Sequence, residues 1–476
     1  MEICKMNQNK DKLVEIGERV FLLLFFIYAF LGSNSFTYGR KIITYVMWVT
    51  FLTGGLLLAY RLVHFKNYCR MPGIVFLLCM LGSMGISILV NYRYALKENV
   101  IFAIYWLFYF VLLYIQKDDA GPEAFRKKFE FVAALFVIYM SLGVLLSYIL
   151  MLSGHNGVFH APDTNFEYRI GFSIGRLWGT FINPNGASFA ASVSAVFLLY
   201  FMAKHKKLVI RLLCGTDIFL LLFYVALADS RSGAICFGIM TAVFSFVLLW
   251  YRNKGKGWVY KGLTLLTAAV IFVCGFYLPR LMKDGYNQII LSVSHQEGDE
   301  GTASKEPDFV VERGYDLSQD ISNRRFDIWK SAVEIYTSSP KTMIFGTSFR
   351  GIVPYAREYL PNTYIVNNDG AVFETMENEF FNILVSQGIL GIVSVAAFAV
   401  FLLVYIIKRL FRLKKEYIVL AGILLAVVLG EGAICMLSAL AFYHFSQCSL
   451  IFWFALGGLV FVLQHGRESS EHAVAR

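Results

Sequence analysis

Charged residues are scarce in this sequence, and their scarcity argues against a soluble globular protein. Only 16% of the 476 residues are charged and 57% are hydrophobic, whereas a soluble protein carries roughly 25% charged residues. Length alone would suggest about three soluble domains. However, apolar runs of roughly 20 residues, the length needed to cross a bilayer as a helix, recur along the whole chain. The composition therefore indicates an all-α integral membrane protein.

Twelve windows of the sequence are apolar and long enough to be membrane spans. Gly, Ser and Thr occur inside several of them, as membrane helices allow at close helix contacts. The first window lacks the small-residue cleavage pattern of a signal peptide, so we interpret it as a span. The windows are 17–33, 42–63, 72–90, 98–115, 130–152, 185–203, 209–228, 233–251, 261–279, 387–407, 416–439 and 446–464.

The distribution of Lys and Arg predicts the orientation of these spans. With the N-terminus inside, 26 of the 43 basic residues fall in inner segments and 7 in short outer loops. The other 10 lie in residues 280–386, which weigh little because long loops cross regardless of charge. We therefore expect a cytoplasmic (inner) membrane protein with both termini in the cytoplasm. This bias also accounts for the net charge of +10 without a nucleic-acid partner, and it can attract anionic lipids.

The positions of the cysteines predict neither disulfide bonds nor a metal centre. None of the eight cysteines falls in a predicted outer loop, which argues against a disulfide framework. No spacing of Cys and His fits a zinc site. We accordingly predict neither a metal nor another cofactor.

Two outer segments stand out, and they divide the chain. Residues 1–279 would contain spans 1 to 9, with an outer loop at 153–184. Residues 280–386 would form a large extracytoplasmic loop with short helices. Residues 387–476 would contain the last three spans and a cytoplasmic tail. Within the large loop, Phe326, Trp329, Val333 and Tyr336 recur at helical spacing. They predict an amphipathic helix that rests on the membrane face or the bundle, starting at Ser322 or Asn323 and ending at 338–340. A second helix is expected to begin near Glu374 and continue into span 10.

Several short motifs share the predicted outer side. In chain order they are Arg176-x-x-Gly179 with Asn183-Pro184-Asn185, Ser230-Arg231-Ser232-Gly233, Arg324-Arg325 ahead of Trp329, Phe345-Gly346-Thr347, and Glu377-Asn378-x-Phe380-Phe381 leading to Gly388 and Gly391. In this order and spacing the motifs resemble the O-antigen ligase and O-antigen (capsular polysaccharide) polymerase superfamily. The resemblance covers roughly residues 165–395 by motif and the whole chain by topology.

The resemblance implies a metal-independent, inverting glycosyltransferase that uses oligosaccharides on a polyprenyl pyrophosphate at the outer face. Arginine suits this substrate because its planar, permanently charged fork binds phosphate bidentately. A carboxylate can serve as base for the attacking hydroxyl. The candidate residues are Glu377 and Arg231 for catalysis, Arg176, Arg231, Arg324, Arg325 and Arg169 for pyrophosphate binding, and Asn378 and Glu379 for positioning the acceptor or the helix.

Each of these candidates also has a purely structural explanation. Arg231 at a span end can snorkel to lipid headgroups. The other arginines can be incidental charges of loops or of the amphipathic helix, and Glu377 and Glu379 can decorate the first turn of a helix. Two acids within spans, Asp217 and Glu431, are either functional or held by internal ion pairs or hydrogen bonds.

Two other functions stay open beside the polymerase. A ligase would move finished glycan to a lipid, protein or wall acceptor, but the resemblance implies histidine before Asn378 in such ligases, where this chain has Glu377. A flippase for the same lipid-linked sugars would belong to the transporters, which usually show paired halves or broken helices. This sequence shows no paired halves. A flippase and a chain-length regulator of the same pathway are expected instead as partners.

Overall fold

The protein, in this computed structural model, is built almost entirely from helices. The structure describes residues 2–160, 167–297, 309–312, 324–368, 373 and 375–467. The helices within these residues are α1 Glu2–Ser33, α2 Lys41–Val63, α3 Ile74–Val90, α4 Leu96–Leu107, α5 Pro122–Leu152, α6 Pro184–Lys204, α7 Leu208–Leu227, α8 Arg231–Arg252, α9 Trp258–Glu297, α10 Arg325–Thr337, α11 Pro340–Phe345, α12 Ile352–Tyr359, α13 Glu379–Arg409, α14 Lys415–Ile434 and α15 Gln447–His465.

Every predicted window coincides with a helix, which confirms the all-α membrane class. Within the described residues, ten helices are long and apolar enough to cross a membrane, and α4 is one of them together with the π-helical turn Phe108–Tyr114 that continues it. The predicted first and third spans are not among the ten, and the third, Ile74–Val90, has 17 residues. The total of twelve spans therefore stays a prediction. Helices α6, α14 and α15 form the centre of the bundle, whereas α2 and α9 lie at its periphery, mostly uncovered by protein.

A small antiparallel sheet occupies the outer loop between α5 and α6. Its strands are β1 Gly157–His160, β2 Glu167–Ser173 and β3 Arg176–Gly179, in the order β1-β2-β3. Tyr168, Ile170 and Phe172 of β2 are buried, as alternation on a strand requires. Such short strands carry little periodic signal, and the sequence did not predict them.

Helix α9 continues well past the expected end of the ninth span. It runs through Pro279 to Glu297, so the division between residues 279 and 280 falls inside a helix. Asn287 on this extension is hydrogen-bonded to both backbone groups of Val311, at 2.9 Å each. The backbone N–H of Glu312 then donates to the carbonyl of Gly175 at 3.1 Å. Residues 309–312 thereby connect the α9 extension to the turn between β2 and β3.

The predicted amphipathic helix corresponds to α10, and only part of its predicted apolar face, Trp329 against Phe381, packs on the protein. Its residues buried against the protein are Ile328, Ser331, Ala332 and Ile335. Phe326 and Val333 of the expected apolar face are 67% and 45% exposed. The proposed cap residues 322 and 323 and the expected start of the next helix at 374 lie outside the described residues. That next helix, α13, begins at Glu379, later than expected, because Asn378 caps it.

Helix α13 is broken at Gly388, and this break explains two of the sequence motifs. Gly388 has φ 63° and ψ −156°, a region essentially restricted to glycine. The backbone of Gly346, which has φ 69°, packs directly against the backbone of Ser386 and Gln387 just before the break. The carbonyl of Ser386, freed by the break, accepts from the backbone N–H of Ser348 at 3.0 Å and from Oγ of Ser87 at 2.6 Å. Non-helical backbone at membrane depth is tolerated when it is satisfied in this way.

Candidate functional site

The N-terminal ends of α6 and α8 lie side by side at one end of the bundle. Oγ of Ser192 in α6 donates to the carbonyl of Gly233 in α8 at 3.1 Å. A Cβ at Gly233 would lie only 2.7 Å from Cβ of Ser188, so glycine is what permits this approach. Because both helices begin here, their positive dipole ends point the same way, an arrangement that favours an anion.

Polar caps fix the first turn of each of these two helices. Oδ1 of Asn183 accepts from the N–H groups of Asn185 and Gly186 at 2.9 and 3.2 Å. Oγ of Ser230 accepts from the N–H of Gly233 at 3.2 Å. The motifs Asn183-Pro184-Asn185 and Ser230-Arg231-Ser232-Gly233 are therefore two helix starts.

Arg176 stands at the start of α6. It opens strand β3, and its Nη2 donates to Oδ1 of Asn185 at 2.9 Å. Its guanidinium carbon lies 5.7 Å from the ring centroid of Trp178. Trp178 is itself positioned by Tyr224, whose hydroxyl donates to the Trp178 carbonyl at 3.1 Å. Arg176 is thus held beside the first turn of α6.

Arg231 is the first residue of α8, and its side chain is exposed. No described residue lies within hydrogen-bond or ion-pair distance of its guanidinium. The neighbouring acid Asp229 is instead paired with Nζ of Lys283, at 3.0 Å. A cation in the first turn of a helix opposes the helix dipole. Helix stability therefore does not explain Arg231, whereas binding of an anion would.

The remaining arginines lie in two other places. Arg324, with φ 63°, donates through Nη1 to the hydroxyl of Tyr364 at 3.3 Å. Arg325, the first residue of α10, lies near the carboxylate of Glu377. Arg169 lies on β2, where its Nη1 donates to Oγ of Ser173 at 3.2 Å. The described contacts do not join Arg169 to the other candidates.

Glu377 lies in a turn whose neighbouring residues, Met376 and Asn378, are both held by hydrogen bonds. Its φ of 49° is left-handed, an uncommon conformation for a residue other than glycine. On one side, the carbonyl of Met376 accepts from Nε1 of Trp329 at 3.1 Å, and its N–H donates to Oδ1 of Asn382 at 2.8 Å. Burial raises the pKa of the Glu377 carboxyl, and Arg325 and the hydroxyl of Thr375 partly oppose that rise. Such a carboxyl is suited to accept a proton.

Asn378 secures the other side of that turn. Its Oδ1 accepts from the N–H of Phe380 at 2.8 Å and caps α13, while its Nδ2 donates to the carbonyl of Met436 at 2.8 Å. One side chain thereby joins the start of α13 to the end of α14. Because Asn378 follows Glu377 directly, these two hydrogen bonds also fix the position of the Glu377 backbone.

Glu379 is fully buried and contacts backbone rather than solvent. Its Oε1 accepts from the N–H groups of Ala441 and Phe442 at 2.9 and 2.8 Å, and from that of Tyr443 at 3.4 Å. These residues belong to the irregular segment 435–446, which follows the end of α14 at Ile434, earlier than the expected 439. Glu379 therefore supplies the acceptor that this buried backbone needs, and the first-turn decoration considered above is not what the structure shows.

Helix α14 connects the two groups of candidates. Gly430 packs against Met240 and the Cys236 carbonyl of α8, and the carbonyl of Cys435 accepts from the N–H of Glu379 at 2.8 Å. Arg231 and Glu377 consequently lie at the same end of the bundle. Among the described residues, no hydrogen bond or ion pair joins Arg231 directly to Glu377.

The two acids within spans differ in their surroundings, and Glu431 lies on the stretch of α14 that joins the two groups of candidates. Oδ2 of Asp217 accepts from Oγ of Ser141 at 2.7 Å, the internal hydrogen bond that was one of its two explanations. Glu431 is fully buried in α14, with the thiol of Cys448 beside its carboxylate. No cluster of three or more His, Cys, Asp or Glu within the described ranges could hold a metal ion.

Sequence reasoning missed the residues that support the candidates. Lys283 lies on the unexpected extension of α9, and Trp178 lies on a strand that was not predicted. Ser188 and Ser192 had a visible signal, because two serines four residues apart share one face of a helix. Their proximity to Gly233, however, depends on tertiary packing.

Comparison with known proteins adds the chemistry that this geometry leaves open. Residues 218–396 match a family model described as O-antigen ligase, whereas a search of the curated proteins found no match. The matched region contains Arg231, Arg324, Arg325 and Glu377, while Arg176 precedes it. The match confirms the resemblance to the O-antigen ligase and polymerase superfamily and does not distinguish its branches. Members are glycosyltransferase-like ligases and polymerases, and the family implies lipid-linked polysaccharide substrates.

Proposed function

With an O-antigen ligase domain at residues 218–396 as the premise, we propose that this multi-pass membrane protein is a polysaccharide polymerase. It joins oligosaccharide repeat units that are carried on polyprenyl pyrophosphate. The reaction takes place on the outer face of the cytoplasmic membrane, and both termini lie in the cytoplasm. A flippase that delivers the repeat units and a chain-length regulator are the partners that such a reaction needs.

One observation carries the proposal, namely the pairing of two helix starts with two arginines. The capped N-termini of α6 and α8 meet at Ser188 and Gly233, with Arg176 and Arg231 at their openings. Donors and positive dipole ends that are fixed where negative charge develops are commonly the largest catalytic contribution. A leaving pyrophosphate is the group in this reaction on which negative charge develops.

In the chemical step, the arginines act on the leaving pyrophosphate and Glu377 acts on the acceptor hydroxyl. The oxygen of the acceptor hydroxyl forms a bond to the anomeric carbon of the donor sugar, on the face opposite the pyrophosphate, which inverts that carbon. The bond from the anomeric carbon to the pyrophosphate oxygen breaks, and its electron pair stays on the pyrophosphate. Arg176, Arg231 and one of Arg324 and Arg325 stabilise that charge. The hydroxyl proton passes to the carboxylate of Glu377.

The polymerase is preferred to a ligase because of the residue before Asn378. The resemblance implies histidine at that position in ligases that transfer O-antigen to a lipid core, and this chain has Glu377. The ligase remains the second candidate. The flippase is less favoured, because the single break in α13 is closed by protein contacts at Gly346 and Ser348 and has no counterpart among the other described helices.

The test is the length of the surface glycan in a deletion strain complemented with wild type or with Arg231→Ala. Arg40→Ala is the matched control. Arg40 is an exposed arginine at the start of α2 without a side-chain cap bond, and its loop lies at the same end of the bundle, since the N–H of Ser35 donates to the Thr180 carbonyl at 2.8 Å. Insertion of each variant is verified by membrane fractionation.

We expect single repeat units in the deletion strain and with Arg231→Ala, and full-length glycan with Arg40→Ala. A loss of about 100- to 1,000-fold in turnover is typical when one donor to a developing anion is removed. Complete absence of surface glycan in the deletion strain would contradict the polymerase and favour the ligase or the flippase. Unchanged glycan length with Arg231→Ala would remove Arg231 from the site.

A further inference from the structure

A second cationic site lies at the opposite end of the bundle, in the turn between α8 and α9. Helix α8 begins at the candidate site and ends at Arg252, so this turn is one full helix length away. A pocket of about 110 Å³ opens there, several times the space that one water molecule requires. Its lining residues are Trp250, Asn253, Lys254, Gly255, Lys261 and Thr264.

Part of the pocket wall is ordered by its own hydrogen bonds. Nδ2 of Asn253 donates to Oγ1 of Thr264 at 3.1 Å, and that hydroxyl donates to the carbonyl of Tyr260 at 2.9 Å. These bonds join the end of α8 to the first turns of α9. The pocket is thereby a feature of the folded hairpin rather than a gap between independent side chains.

The cations of this turn have aromatic rings beside them and no carboxylate. Nζ of Lys261 lies 4.6 Å from the ring centroid of Trp258 and 5.8 Å from that of Trp250. Nζ of Lys254 lies 5.8 Å from the ring of Tyr251. Residues 249–263 contain no acidic residue, and neither lysine forms an ion pair with a described residue. Both ammonium groups are therefore available to an anion.

We infer that this pocket binds the phosphate of an anionic membrane phospholipid through Lys254 and Lys261. A lipid is favoured over free phosphate because Trp258 and Val259 beside the pocket are 83% and 81% exposed, an apolar surface that acyl chains would cover. Indole rings at this position are typical of the headgroup level of a bilayer. Basic pockets between membrane helices are also known to bind anionic headgroups. The inference does not depend on the proposed polymerase activity.

The turn between α6 and α7 shows that basic charge alone does not define this site. It lies at the same end of the bundle and carries Lys206 and Lys207, both exposed. Neither lysine lines the pocket between α8 and α9, and no cation–π contact of the described residues involves either one. The α6–α7 turn thus provides a control with two lysines, whereas the α8–α9 turn places its two lysines beside a cavity and indole rings.

The test is native mass spectrometry of the purified protein titrated with phosphatidylglycerol, phosphatidylethanolamine or inorganic phosphate. We expect wild type to retain phosphatidylglycerol in preference to the other two. The double variant K254A/K261A should bind it about 30-fold more weakly, because each lysine near an anionic surface contributes about a factor of five. The control K206A/K207A should bind it as wild type does.

Three results would overturn the inference. Equal weakening in the control would show a general effect of surface charge. Equal retention of phosphatidylethanolamine would show that the negative charge is not recognised, and equal retention of inorganic phosphate would exclude the lipid. If the double variant does not fold, the single variants K254A and K261A replace it, and each should bind phosphatidylglycerol about 5-fold more weakly than wild type.

Discussion

Two arginines at opposite ends of the bundle, Arg61 and Arg231, differ in their burial and in their partners. At the end away from the candidate site, Glu18 accepts from Nη2 of Arg61 at 2.6 Å and from Nζ of Lys128 at 2.8 Å. Arg61 is only 3% exposed, and its Nη1 also donates to the carbonyl of Ile115 at 2.8 Å. At the candidate end, Arg231 is exposed and has no partner among the described residues.

This contrast distinguishes structural cations from cations that are available to a ligand. The residues after α4 form a π-helical turn, Phe108–Tyr114, and Arg61 donates to the carbonyls of Val111 and Ile115 in and beside it. A buried charge is tolerated only when paired and hydrogen-bonded. The position of Arg61 is therefore fully explained by the fold, whereas the position of Arg231 is not.

Removal of Arg61 should cause the largest loss of stability. Arg61→Ala leaves Glu18 with Lys128 as its one cation and removes the side-chain donor to the carbonyls of Val111 and Ile115, so we expect a loss of about 3 kcal/mol or more. The measurement is the unfolding midpoint in detergent. Arg19→Ala is the control, since its pair with Glu15 is exposed on both sides and should contribute less than about 1 kcal/mol. Equal midpoints for the two variants would contradict the contrast.

Replacement of Glu377 should instead affect the reaction and spare the fold. We expect Glu377→Gln to slow glycan transfer about 100-fold, the lower range for general base catalysis, with an unfolding midpoint close to wild type. The base is the ionised carboxylate, and burial raises its pKa above the usual 4.5. Wild-type activity should consequently decline as the pH falls through that raised pKa. The measurement is the rate of transfer of lipid-linked repeat units across a pH series.

The residual activity of Glu377→Gln provides the decisive comparison. Because glutamine does not titrate, the acidic decline should be absent from this variant. Glu377→Asp, which retains a carboxylate, should recover part of the rate and the decline with it. An identical acidic decline in Glu377→Gln would assign the base to another residue.

The sequence predicted the membrane helices well because each depends on local composition. Twelve apolar windows correspond to helices, and the motif residues Arg231 and Glu377 do lie at one end of the bundle. The missing parts depend on contacts between distant segments. The role of Glu379, for example, is set by N–H groups 62 to 64 residues away. The break at Gly388 likewise requires Gly346 beside it. The short strands β1 to β3 depend on their mutual pairing and on packing against other segments, such as Leu150 of α5.

The smallest expected effect concerns the helix cap at Ser230. It distinguishes a cap that only stabilises its helix from one that also orients Arg231 for the reaction. Ser230 caps α8 beside Arg231, and Ser446 caps α15 through a reciprocal bond with Ser449. Replacement of either serine by alanine should cost about 1 kcal/mol, the usual contribution of an N-cap, which unfolding midpoints in detergent would measure. Only Ser230→Ala should also shorten the glycan, because it releases the first turn that aims Arg231 at the anion. If Ser446→Ala shortens the glycan equally at the same loss of stability, the orientation of Arg231 is not what the Ser230 cap contributes to the reaction.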